Sequence, residues 1–479
     1  MELASLKIFL PEYRKILIPG IAVCFLVSAC ARYQYEESVI DLEDIKYEYF
    51  NRSLNAPELK DYLQKYDIDT GSWPLEAWDI SALTAAAWYF NPELKVAQKE
   101  YEVRVVESEN SARRLNPEIN IPLEHHSDTS GNRSPWLIGL LFDLVLERKA
   151  KREARMEQAE ALAVAAAINI MQKAWSIYSK VRNYLVDYYR ANRVSLHLEQ
   201  QRIATEDILD ILEKRKELGE AGEFEVSAVR LELQKIRLQQ AEQLVEVNRS
   251  LNKLAEAIRI PVSELRNTEI VFDDLESYVN ADEIMNFEIQ SVALRNRPDI
   301  QAALQQYMAH EAGIKYEIEK QYPDIRLSPG FIFDQEDKIW ALGAAWILPA
   351  FYPVNEAEIK KALAERKVLQ AEFIAMQTQI LGEINSGREN YLSHHQALIA
   401  ADNLLVDIET RQAQIKRQFE LGYADNLELS RTVLETLLAK QSREKILLAL
   451  IQAGSQLEDT MQYPLVNINT VEYKTTNDN

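Results

Sequence analysis

The sequence predicts a mainly α protein with membrane-type β: long antiparallel coiled-coil helices, two β-hairpins per chain, and an internal duplication. Three observations carry this. Landmarks recur in register: Pro92 and Pro117 are 25 residues apart, as are Pro298 and Pro323, while Gly219 to Pro261 and Gly422 to Pro464 both span 42. Both halves hold a Trp-x-x-Gly (Trp136 to Gly139, Trp340 to Gly343) and a Glu-Leu-Gly-x-Ala motif, at Glu217 to Ser227 and Glu420 to Ser430. Second, no Pro or Gly interrupts Leu146 to Leu218, and only Gly382 and Gly387 interrupt Pro353 to Leu421. Third, apolar residues alternate with period 2 after Pro117 and Pro323, the mark of strands. A repeat of about 200 residues is too long for a solenoid unit, so each copy is half of one architecture.

The chain divides accordingly. Residues 1–29 read as a signal peptide and 30–80 as a polar lead-in with short helices near Pro57 to Gln64 and after Trp78. Repeat 1 covers 81–262, a connector 263–284, repeat 2 285–465, and a tail 466–479. Lys7, Arg14 and Lys15 precede the apolar run Ile16 to Ala29, which suits a signal core and is too short for a membrane span. Val27-Ser28-Ala29-Cys30 resembles a bacterial lipobox, making Cys30 the lipidated mature N-terminus, with palmitate among its acyl chains. Ala31 in place of Asp points to outer-membrane sorting; cleavage after Ala29 with Cys30 incidental is the alternative. Cys24 leaves with the signal, so no internal disulfide forms. No other stretch is apolar enough for a transmembrane helix.

Each repeat is expected to open with a helix, through Asn91-Pro92 to about Leu115 and through Arg297-Pro298 to before Pro323. In the first hairpin Ile119, Ile121 and Leu123 face one way and return as Trp136, Ile138, Leu140, Phe142 and Leu144. In the second, Ile325, Leu327, Phe331 and Phe333 return as Trp340, Leu342, Ala344, Trp346 and Leu348 around a turn at Asp334 to Lys338. Strands of about ten residues can cross an outer membrane when tilted. Each long helix then extends roughly 100 Å at 1.5 Å per residue, and Gly219 and Gly422 suit left-handed caps that reverse the chain. In the helix after Gly222, Val226, Val229, Leu233 and Ile236 form a seam that Leu244, Val247, Leu251, Leu254 and Ile258 resume beyond Gln240, a register shift expected to be a stutter.

Four strands cannot close a barrel, and an open edge in lipid strands backbone polar groups. Other copies must complete the sheet; three would give twelve strands and a lumen. On Asn91-Pro92-Glu93-Leu94, Arg297-Pro298-Asp299-Ile300, Asn116-Pro117-Glu118, Tyr322-Pro323-Asp324, Ile347-Leu348-Pro349 and the two Leu-Gly tips, the chain from about Ala82 to Pro464 resembles the TolC-type outer-membrane efflux family, in its lipoprotein branch. Trp136 to Arg155 resembles the heavy-metal efflux branch more than the drug branch. The resemblance implies a homotrimer in outer-membrane lipid, with a twelve-stranded barrel, a helical tunnel, and docking to a membrane-fusion adaptor and an RND- or ABC-type inner-membrane pump.

It also implies a periplasmic gate just beyond the second tip. The matching positions are Glu428 and Arg431, with Asp425 beside them; Arg431 departs from the acidic pattern and points to closure by intersubunit salt bridges. Carboxylates brought together by threefold symmetry would repel and titrate high, making a pH- or cation-dependent gate. Solvated charges at a helix start would read the same. Leu218, Gly219 and Ala221, and Leu421, Gly422 and Ala424, match the adaptor-docking tips, although a plain reversal would use the same residues. Trp136, Trp340 and Trp346 suit interfacial aromatics, with Gly139 and Gly343 relieving crowding inside, or simple packing.

His125-His126 and His394-His395 diverge in strand and helix and make poor chelates. No catalytic motif, metal-ligand spacing or cofactor loop is present, so an enzyme is not expected. A formal charge of −21 argues against nucleic acid. The competing readings are a duct for type I protein secretion and a non-pore periplasmic coiled-coil scaffold.

Overall fold

The computed structural model describes residues 35–66, 68, 70–71, 73–127, 133–280, 294–347 and 353–464. The signal peptide 1–29, Cys30, the turn residues 128–132, the Leu348-Pro349 strand exit and the tail 466–479 lie outside the described residues. The chain forms two compact units, 1–51 and 52–479. In the first, helix α1 (Leu42–Phe50) is capped by Asp41, whose carboxylate accepts the Glu43 N–H at 2.9 Å.

The second unit holds everything else. Its first elements are α2 (Pro57–Lys65), β1 (Ala77–Trp78), α3 (Ile80–Phe90) and α4 (Pro92–Ser111). Strands β2 (Glu118–Asn120), β3 (Leu123–His125) and β4 (Trp136–Leu146) follow, then helices α5 (Lys149–Glu217), α6 (Glu223–Ile258) and α7 (Val262–Arg266). After β5 (Glu269–Ile270), α8 (Asp273–Glu276) and a 3-10 turn (Ser277–Asn280), the pattern returns as α9 (Pro298–Glu319), β6 (Ile325–Asp334), β7 (Asp337–Ala345), α10 (Glu356–Glu420) and α11 (Asn426–Met461).

The hairpins join into one antiparallel sheet, ordered β2/β3–β4–β6–β7. Pro122 has no N–H, so the first strand is split where the sequence predicts one run, but Asn120↔Leu141 and Leu123↔Ile138 keep a single register. Gln335 and Glu336 both take positive φ (47° and 81°), the two-residue turn that matches strand twist. Because side chains alternate, the register puts Ile119, Ile121, Leu123, Ile138, Leu140, Phe142, Leu144, Ile325, Leu327, Phe331, Phe333, Trp340 and Leu342 on one face. Glu118, Asn120, Asp143, Arg326 and Ser328 share the other face with Gly139, Gly330 and Gly343. A Cβ at Gly139 would lie 2.7 Å from Pro122 Cγ, whereas at Gly343 its nearest neighbour is 3.4 Å away, so crowding is relieved at the first position and not at the second. The strands β2/β3 and β7 are the sheet's two edges within this chain.

Helices α5 and α10 hold 69 and 65 residues, so each spans about 100 Å. α6 and α11 are 36 residues each and cover only part of that length. α4 packs beside α5, and α9 packs beside both α5 and α10. α5 also packs against α6 and α11, and α11 against α10, which gives the order α6–α5–α11–α10.

The register shift expected in α6 does not fall at Gln240; two steps of four come later, from Gln243 through Val247 to Leu251. Its half-buried positions continue through Gln240, Gln243 and Val247 in unbroken 3–4 spacing, and Leu244 faces outward, 62 % exposed. The two glutamines hold seam positions because each amide has a partner: Gln240 donates to Glu199 and Gln243 to the Ala191 carbonyl, both at 2.8 Å. Helix α4 stops at Ser111, four residues short of the expected Leu115, where the Arg155 guanidinium binds the Ser111 carbonyl at 2.9 Å.

The main core lies at mid-length. Leu59 and Leu63 of α2, Leu83 of α3, Val181 and Leu185 of α5, Leu254 and Ile258 of α6, and Leu450 and Ile451 of α11 are buried in one cluster. The lead-in is therefore part of the fold from about Leu54 onward, and β1 pairs in parallel with β5 of the connector. Through this core runs a buried polar network. Arg182 donates to Glu458 at 2.5 Å and to Ser455 Oγ at 2.7 Å, and also binds Asp459; Tyr178 and Tyr278 donate to Glu458 at 2.8 and 2.6 Å. Burial raises both phenols and holds them protonated as donors.

Candidate functional site: the paired helical tips

Both reversals are built the same way. At the first, Glu220 N–H reaches Arg215 O (2.8 Å) and Gly219 N–H reaches Lys216 O (2.9 Å). At the second, Tyr423 N–H reaches Gln418 O (2.8 Å) and Gly422 N–H reaches Phe419 O (3.0 Å). This double bond pattern satisfies the last helical carbonyls and requires a left-handed residue; Gly219 and Gly422 have φ +75° and +81°. Nothing lies within 4 Å of where a Cβ would stand, so backbone conformation and not close packing demands glycine within the chain.

The apolar side chains at the tips are open to solvent. Leu218 is 75 % exposed, Leu421 63 %, Tyr423 83 % and Phe224 84 %. Ala221 and Ala424 beside them are half-buried. Phe224 and Leu427 occupy the same motif position but diverge: Leu427 is buried with Ile208 and Leu212 of α5 and Val226 of α6. That contact ties the second tip to the first.

The three charged residues of the expected gate do not play equal parts. Asp425 caps α11, accepting the Glu428 N–H at 2.8 Å, and pairs with Arg215 of α5 at 3.0 Å. The Glu428 amide and the Arg215 guanidinium hold its carboxyl below the usual range. Its side chain is thus committed to holding the two hairpins together. Glu428 and Arg431, one turn apart on α11, are both exposed, and among the described residues neither forms an ion pair within the chain. They are available to another chain. Sequence reasoning missed Arg215 and Leu427; a basic residue in the last turn of a helix was visible, but its partner on another hairpin was not.

The aromatic positions separate along the strands. Trp136 opens β4 and meets His125 edge-on at 4.7 Å, while Trp346 follows β7 at the sheet's other end, exposed. Trp340 lies between them, packed at 5.0 Å on Phe331 and two residues from Lys338 on the same face. His126 turns away from His125 toward Asp334, 3.2 Å distant. Among the described residues no group of three or more His, Cys, Asp or Glu is placed to hold a metal. No described helix is long and apolar enough to cross a membrane.

A two-hairpin sheet carrying paired helical rods of this length is also the fold of solved outer-membrane channels. The solved structures agree. The outer-membrane channel OprN matches at TM-score 0.64 and 15 % identity over 90 % of this chain and 98 % of that one. The Campylobacter jejuni CmeC outer membrane channel matches at 0.61 and 14 %, covering 90 % and 93 %. The outer membrane protein VceC of Vibrio cholerae matches at 0.61 and 16 %, covering 81 % and 96 %. The chain therefore has the TolC-type fold, with a sheet that one protomer leaves open. No family model and no curated protein matches the sequence.

Proposed function

We propose that this chain is the exit duct of a tripartite efflux system: a homotrimeric outer-membrane channel that passively conducts small molecules or metal ions delivered by an RND- or ABC-type pump. The observation that carries this reading is the sheet. One face is almost wholly apolar, the opposite face mixes Glu118, Asn120, Asp143, Arg326, Ser328 and three glycines with Leu137, Leu141, Val145 and Ile332, and both edges are unpaired in one chain. Such a sheet is unstable in lipid until copies close it, and three copies of four strands leave a lumen continuous with the helices. The similarity in fold to channels supports the same reading.

Within it, Cys30 carries the lipid anchor, and Trp136 and Trp346, at opposite ends of the sheet, lie toward the bilayer boundaries, while Trp340 stands nearer mid-strand than the interfacial position expected of it. Leu218, Gly219, Ala221, Leu421, Gly422 and Ala424 present the surface on which the adaptor docks. Asp425 clasps the two tips of one protomer through Arg215, leaving Glu428 and Arg431 to meet their counterparts across the threefold axis. The test is conductance in planar bilayers. The purified protein should form discrete channels, and Glu428→Ser with Arg431→Ser should raise single-channel conductance; unchanged conductance removes these two from the gate. A protein that stays monomeric and never conducts would instead favour the scaffold reading.

A further inference from the structure

Where the sheet gives way to helix, the surface changes from apolar to basic within two residues. Leu146 ends β4 with its side chain exposed, and Arg148 and Lys149 follow; Leu115, also exposed, follows Arg113 and Arg114 on the neighbouring segment. Residues 113–118 and 147–155 hold seven Lys/Arg against three Asp/Glu, in a chain whose formal charge is −21. The reversal of sign is local.

Most of these cations are engaged. Arg148 pairs with Glu319 at 3.2 Å and lies 3.8 Å over the Tyr322 ring, Lys149 pairs with Glu153, Lys151 with Asp324, and Arg155 with Glu147. These bonds clamp the helix-to-strand switches and engage Glu147, Glu153, Glu319 and Asp324, leaving Glu118 as the one acidic residue of the two segments outside them. Three arginines remain. Arg113 and Arg114 are exposed and Arg152 half-buried, and among the described residues none has a carboxylate within 4.0 Å. They lie at one level of the neighbouring segments: Arg155 binds the Arg113 carbonyl at 3.2 Å, Arg114 follows Arg113, and Arg152 is one turn nearer the sheet on the helix of Arg155.

We propose that Arg113, Arg114 and Arg152, flanked by Arg148 and Lys149, form a collar that binds the phosphates of anionic glycerophospholipids in the leaflet facing the helices. This rests on the reading that the sheet enters a bilayer. Guanidinium groups bind phosphate bidentately, and basic residues just outside an apolar span gain from anionic headgroups. The collar fixes the depth of the sheet independently of the lipid at Cys30.

The test uses the full-length protein in nonionic detergent, passed through mixed micelles containing equal phosphatidylglycerol and phosphatidylcholine with matched acyl chains. Lipid that co-purifies is measured by mass spectrometry. Phosphatidylglycerol should be enriched several-fold, the enrichment should vanish in Arg113→Gln/Arg114→Gln/Arg152→Gln, and the corresponding triple Lys variant should retain it. Equal retention of both lipids by the unaltered protein, or undiminished enrichment in the Gln variant, overturns the proposal. Arginine-dependent binding of inorganic phosphate with no enrichment of phosphatidylglycerol would assign the arginines to a free anion and overturn it too. Channel conductance separates the two readings: normal conductance without lipid preference sinks the collar alone, whereas no conductance from the unaltered protein sinks the duct.

Discussion

Helices α5 and α10 hold equivalent places in the two repeats and are nearly equal in length, yet one is interior and the other an edge. α5 has buried residues from Ala154 to Leu212, because α4, α6, α9 and α11 surround it. α10 packs against α9 and α11; its buried residues are Ala362, Ile380, Ile384, Tyr391 and Leu398, and toward the tip Leu404 and Val406 are exposed. Duplicated sequence does not enforce duplicated burial. The half that ends at an edge leaves apolar surface exposed, as β7 leaves unpaired backbone groups.

The comparison breaks first at the joint between interior helices. Arg182 of α5 is fully buried against Glu458 of α11, so Arg182→Ala leaves a buried carboxylate uncompensated and should cost about 3–5 kcal/mol. Denaturant titration measures it, and a loss no larger than that of a surface change would mean α5 and α11 are not the central joint.

A sharper test sets Leu185 against Val406. Leu185→Ala should cost about 2–5 kcal/mol. Val406→Ala, at an exposed site, should stay within about 0.5 kcal/mol in dissociated monomers. Leu404→Asp with Val406→Asp should nevertheless shift trimers toward monomers by light scattering while helix content is kept. Trimers that persist would show that α10 is not an intersubunit edge.

Glycines on α10 and at its end should respond with opposite sign. Gly422 has positive φ, so Gly422→Ala should destabilise by about 1 kcal/mol. Gly382 is helical with open space around it, so Gly382→Ala should stabilise by up to about 1 kcal/mol. Thermal melting of the two variants decides. A bulky residue at Gly422 should also abolish pump complementation.

The smallest effect is at the clasp. Asp425 titrates below its ordinary value, so its contribution is complete above about pH 4 and is lost as pH falls through the depressed value. Arg215→Gln should therefore loosen the tips at neutral pH, read as faster hydrogen exchange at 421–430, and should narrow the difference between neutral and acidic pH, the Glu428 N–H bond to Asp425 keeping the rest. Exchange that is unchanged removes the clasp.

The sequence was legible where one residue type forces one backbone state. Pro323 closes off α9, Gly219 and Gly422 reverse the rods, and alternation sets the two faces of each strand, whereas α4 ends at Ser111, well before Pro117. It was misleading in α6, where counting apolar residues placed Leu244 at the seam, because a glutamine with a hydrogen-bonded amide fills such a position as well as leucine does. At the tips, the motif exposed the glycines but treated Phe224 and Leu427 as equivalent, and only packing made one buried and the other open.

By itself the sequence determined the order of helix, hairpin and rod, the lengths of the two long rods and the places where they turn, because these depend on φ, ψ and local periodicity. Tertiary structure alone decided which helix is central, that Arg182 meets Glu458 across 276 residues, and that Arg215 claims Asp425. Such pairings depend on which surfaces face each other once the rods lie side by side, and no local pattern along the chain encodes that.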